Sequence, residues 1–168
     1  MIKKVIVSCC LAIISISTFA DIASYKTRYG QFQVKASDAY PQGALFFNEK
    51  IVNPLIEGNE SLSFEGIYQL NKDDVLLVRD NGGSGCPVTL YFVKVSPAQK
   101  LSVSPAFGSC SDVIKVAAKE RQITVTMPDF IGAPENDAQE KAIAKRKMTY
   151  IYDGDFIKEN GKVLKRKH

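Results

Sequence analysis

The chain predicts an all-β fold, an antiparallel meander of about nine or ten short strands forming a sandwich or partly open barrel, with at most one short helix near residues 135–147. Three observations carry this. Runs that alternate apolar and polar residues, or are rich in β-branched and aromatic residues, recur along the whole length. Short turns of Gly, Pro, Asn and Asp separate them, which makes successive strands antiparallel neighbours. Only one stretch carries helix end signals.

Taken in order, Tyr29 to Ala36 alternates and reads as a half-buried strand, and Tyr40-Pro41-Gln42-Gly43 supplies a turn. Ala44 to Val52 is a hairpin about Asn48-Glu49, because Asn tolerates the left-handed backbone of such turns. Pro54 to Glu60 is loop, Leu62 to Leu70 a strand, and Asn71 to Asp74 a turn. Val75-Leu76-Leu77-Val78 is a continuous apolar run between turn signals, the pattern of a strand buried on both faces.

Asp80 to Pro87 is a glycine-rich connection ahead of Val88 to Val95, the strongest strand signal in the chain. Ser96 to Lys100 turns the chain, Leu101-Ser102-Val103 pairs back, and Pro105 and Gly108 break it again before Cys110. Val113 to Val116 and Gln122 to Met127 form a hairpin with Lys119-Glu120-Arg121 at its tip. The helix at 135–147 has acids in its first turn and bases in its last, its Asp137 and Lys141 are spaced to pair, and its apolar face is thin enough for the surface. Met148 to Tyr152 is the last full strand, and Asp153-Gly154 turns it back through Asp155 to Lys158.

Both ends of the chain bear on compartment. Lys3-Lys4, the apolar run Val5 to Ile16 and the small residues Thr18 and Ala20 predict a secretory signal peptide, residues 1–20, cleaved after Ala20. The run is shorter than the roughly 20 residues of a bilayer-crossing helix. Lipoprotein processing at Cys9 or Cys10 is the rival, but only eight residues precede Cys9. Residues 21–160 then form a single β-rich domain, with 161–168 a basic, disordered tail. Removing Lys3 and Lys4 leaves 20 basic against 18 acidic side chains, a net charge of +2. The excess is uneven: nine bases against three acids from Lys141 onward, eleven against fifteen before it. The basic end could contact an acidic membrane surface, whereas nucleic acid is not an expected partner of an exported protein.

The signal peptide would remove Cys9 and Cys10, leaving Cys86 and Cys110 as one disulfide in an oxidising compartment. The roughly 25-residue loop it closes is worth up to about 3.5 kcal/mol in the chain-entropy account. The two lack the Cys-x-x-Cys spacing of a redox pair.

Chemistry is constrained by what is missing. The single histidine is the terminal His168, so histidine-dependent nucleophilic catalysis and a histidine zinc site have no material. Gly82-Gly83-Ser84-Gly85 lacks the Lys-Ser/Thr ending of a phosphate loop, and a strand follows it instead of a helix. Asp80, Asn81 and Ser84 could offer oxygens to calcium, but their spacing fits no established loop. Glu57, Glu60, Glu65, Asp73, Asp74, Asp80 and Asp112 are the acids open to glycoside hydrolysis, nearly all in turns where solvated acids are the norm. No cofactor and no metal is expected.

These exclusions point to a periplasmic or secreted, non-catalytic protein-binding module, such as a hydrolase inhibitor, a toxin-immunity protein or an envelope-complex accessory. Its partner is expected to be another envelope or secreted protein. The alternative is a small carbohydrate-binding or carboxylate-dependent hydrolase domain. The expected binding residues are Asn81, Ser84, Phe107, Ser111 and Asp112 on the two cross-linked loops, with Tyr91 on the strand between them.

Overall fold

In the computed structural model, which describes residues 20–165, fourteen strands and one short helix form three antiparallel sheets, with no closed barrel. The first sheet runs in the order β1 (Ala20–Lys26), β2 (Gln31–Ser37), β3 (Tyr40–Phe47) and β4 (Lys50–Ile51). The second holds β5 (Ser61–Leu70), β6 (Asp73–Asn81), β7 (Val88–Val95) and β8 (Leu101–Val103), and β9 (Phe107–Cys110) pairs with β7 as well. β8 meets residues 93–95 of β7 and β9 meets residues 88–90, so the two share one edge of that strand. The third sheet contains β10 (Lys115–Lys119), β11 (Gln122–Pro128), β12 (Lys147–Tyr152), β13 (Ile157–Glu159) and β14 (Lys162–Val163), with α1 (Asp137–Ala144) between β11 and β12.

The second sheet lies in the middle. Val75 and Leu77 of β6, with Leu90 and Phe92 of β7, join Ile123, Val125, Tyr150 and Tyr152 of the third sheet in one core. Leu76 and Val78, with Val93 and Val95, join Phe32, Val34, Leu45 and Phe47 of the first sheet in another. Successive side chains on a strand point to opposite faces, so β6 needs apolar residues at consecutive positions to serve both cores. That is the physical content of the run Val75 to Val78, all four of which are fully buried. The rings of Phe107, Phe92 and Tyr152 stack in series at centroid distances of 4.9 and 4.5 Å through the core shared with the third sheet.

One clasp ties the first two sheets. Asp74, 2% exposed, accepts from the backbone N–H of Arg28 at 2.7 Å and from its Nε at 2.8 Å. Hydrogen bonds of this kind replace those with water that a carboxylate gives up on burial.

Several local expectations shift by a few residues. Tyr40 to Gly43 lies inside β3. The turn is Asp38-Ala39, where Ser37 Oγ accepts from the Tyr40 N–H at 3.2 Å, and the irregularity signalled by Pro41 is a register shift after Lys35. Asn71-Lys72 alone turns the chain between β5 and β6, with Asn71 at φ 57°, and Asp73 and Asp74 belong to β6. α1 starts behind Asn136, whose Oδ1 accepts from the Gln139 N–H at 2.9 Å, and stops at Ala144 because Lys147 pairs with Pro128 in the sheet. Asp137 and Lys141 form no ion pair, and α1 buries no residue. The hairpin begun at Asp153-Gly154 has a longer loop, since Tyr152 pairs with Ile157.

The expected frayed end is partly strand. Asn160-Gly161 makes a left-handed turn, β14 pairs with β13, and Leu164 packs on the core. The proposed signal peptide, apart from Ala20, and residues 166–168 lie outside the described residues.

Candidate functional site

The disulfide joins the β6–β7 connection to the end of β9, with Cα atoms 4.6 Å apart. β9 brings this about by pairing Cys110 with Val88, two residues beyond Cys86. The connection is folded on itself: the Gly82 N–H donates to the Pro87 carbonyl at 2.9 Å and the Cys86 N–H to the Gly83 carbonyl at 3.1 Å. A Cβ at Gly82 would run into the Cys86 carbonyl oxygen, so the tight path needs glycine there.

Two further loops close on it. The Asn59 N–H donates to Asp80 Oδ1 at 2.7 Å and the Glu60 N–H to the Asn81 carbonyl at 2.9 Å. From the other side a Cβ on Gly132 would stand 3.0 Å from the Gly85 carbonyl oxygen. Segments near 59, 85, 110 and 132 therefore meet at one end of the molecule. An oxidising compartment is where such a cross-link persists.

Of the expected binding residues, this end presents Ser84 and Asp112, both exposed. Phe107 is 5% exposed and stacked in the core, and Ser111 is 6% exposed with its Oγ accepting from the Val113 N–H at 3.2 Å, so both side chains are buried, not presented at the surface. Asn81 is half-buried. Its side chain accepts from Arg79 Nε at 2.6 Å and donates to Ser61 Oγ at 3.0 Å, fastening β6 to β5. Because Asp80 and Asn81 are successive strand residues their side chains diverge, which dissolves the conceivable calcium site with Ser84. Among the described residues no group of three or more His, Cys, Asp or Glu could hold a metal ion.

Tyr91 lies elsewhere, in a groove of about 420 Å³ with Pro54, Leu55, Pro105, Ala106 and Leu164. Burial pushes the Asp80 carboxyl up from the usual carboxylate range, against the lowering effect of the Asn59 N–H. Burial also raises the Tyr91 hydroxyl, with the charge of Asp80 adding to it. Three other acids open to hydrolytic chemistry are engaged in ion pairs: Glu65 with Arg79 at 3.1 Å, Asp73 with Lys94 at 3.8 Å and Asp74 with Arg28 at 2.7 Å.

The cross-linked end runs into a second groove that sequence reasoning missed. Val113, 50% exposed and three residues past Cys110, starts a depression of about 330 Å³ whose lining includes Pro128, Ala144, Lys115, Lys145 and Lys147. Its lysines come from β10, the C-cap of α1 and β12. They are dispersed in the chain, so only the excess of bases after Lys141 hinted at them.

No family model, no curated protein and no solved structure matches the chain.

Proposed function

We propose that the protein is an exported, non-catalytic module of the cell envelope that binds another envelope or secreted protein, in the manner of a hydrolase inhibitor, an immunity protein or an accessory of an envelope complex. Residues 1–20 serve as the signal peptide, and export to a periplasmic or extracellular space provides the oxidising conditions in which Cys86 and Cys110 stay joined. The observation that carries the reading is the gathering of four chain segments into one cross-linked end beside an open groove. Loops held in this way lose little conformational entropy when a partner docks. The engagement of Glu65, Asp73 and Asp74 by basic side chains supports binding over carboxylate chemistry, since these acids already hold strands and sheets together.

Affinity capture from envelope extract, read by mass spectrometry and set beside a glycan array, tests the proposal. A stoichiometric protein partner is expected. Glycan binding without a protein partner would replace the reading with the carbohydrate one.

A further inference from the structure

We propose that the groove beside the cross-linked loops seats an acidic segment of the protein partner. The segment lays an apolar side chain against Val113 and Pro128 and places its carboxylates on Lys115, Lys145 and Lys147. This rests on the binding-module reading above and adds the chemistry of the partner.

Strand alternation provides the first argument. In β10, β11 and β12 the inward positions hold Val116, then Ile123, Val125 and Met127, then Tyr150 and Tyr152, all packed on or within the core. The outward positions of β10 are Lys115, Ala117 and Lys119, those of β11 run through Gln122, Thr124, Thr126 and Pro128, and those of β12 are Lys147, Thr149 and Ile151. No carboxylate stands among them. A solvated sheet face ordinarily mixes charges of both signs.

The second argument is the charge of the lining: three lysines and no carboxylate line the groove. Lys115, Lys145 and Lys147 have no ion pair or hydrogen bond from their side chains among the described residues.

Shape decides between kinds of occupant. The depression is concave, with Val113, Pro128 and Ala144 supplying apolar surface within the ring of lysines, and a volume of about 330 Å³ accommodates a side chain or two. An extended peptide with acidic residues flanking an apolar one fits both the shape and the charge. A flat anionic bilayer would neutralise the lysines and leave the depression empty.

Fluorescence anisotropy with a labelled peptide of alternating glutamate and leucine provides the test, beside its glutamine–leucine counterpart and sedimentation with phosphatidylglycerol vesicles. The mature protein is expected to bind the glutamate peptide, more weakly as salt rises. The variant K115Q/K145Q/K147Q should bind it about tenfold less tightly, since three rim ion pairs of modest individual worth are removed. All three positions are exposed, so an unchanged melting curve shows that the variant folds. Equal binding by both proteins, no binding by the mature protein, equal binding of the glutamine peptide, or co-sedimentation with vesicles in place of peptide binding would overturn the assignment. Capture from envelope extract separates the two layers of the reading. A partner held by the mature protein and by the variant alike removes the groove and leaves the binding module standing, whereas no partner for the mature protein removes the module itself.

Discussion

At Asp80 a single side chain links the fold to the surface around it. Burial raises its pKa, the Asn59 N–H it accepts works the other way, and its charge in turn raises the Tyr91 hydroxyl. The folded-state pKa lies above the unfolded one, so the ionised group costs stability. That cost is absent below the unfolded-state value and complete once pH has risen through the folded-state value. Asp80→Asn keeps an acceptor for the Asn59 N–H and removes the charge. It should raise the urea midpoint near neutral pH, about pH 7, and leave it unchanged at about pH 3, where the native carboxyl is also protonated. Spectroscopic titration of the tyrosines adds a second readout, since Tyr91 should ionise at lower pH in the variant. An equal midpoint shift at both pH values would mean that Asp80 acts through packing instead.

Strands and loops carry the next set of consequences. The cross-link stabilises chiefly by restricting the unfolded chain, so C86A/C110A should lose up to about 3.5 kcal/mol, read from denaturant midpoints with the native protein kept oxidised. A loss near zero would mean that β9 and the packed loops hold this end without it. The sequence revealed elements wherever a local rule governs the backbone. The Asn48-Glu49 hairpin appears where expected because a two-residue turn needs positive φ and Asn accepts it, with φ 46° and 67° at the two positions. The run Val75 to Val78 is doubly buried because nothing else explains four consecutive apolar residues between turns. β1 was missed because a register shift between Asp21 and Ala23 breaks its alternation, and β9 because Gly108 and Cys110, both at positive φ, interrupt it. Phe107 was expected at the surface from its place beside a loop, yet its stacking on Phe92 is a tertiary fact that neighbouring residues do not encode. The groove lysines were illegible for the same reason, since pairing of β10, β11 and β12 is what assembles them.

For the molecule as a whole, the middle sheet with two cores sets stability, and the proposed partner site is the cross-linked end with its groove. Two-sided burial has a direct consequence: Leu76→Ala and Leu77→Ala should each cost about 2–5 kcal/mol in urea denaturation, because each opens a cavity in a different core. A sheet with one wet face would instead show one large loss and one small. That rigid centre carries the loops near 59, 85, 110 and 132 at its edge, and the account places partner binding there and in the adjoining lysine groove. Hydrogen–deuterium exchange of the mature protein, alone and with its captured partner, tests this most directly. The account predicts new protection confined to residues 82–87, 110–115 and 144–147. Protection confined instead to the Tyr91 groove at residues 54–56, 103–106 and 164–165, or no protection at the cross-linked end, would contradict it.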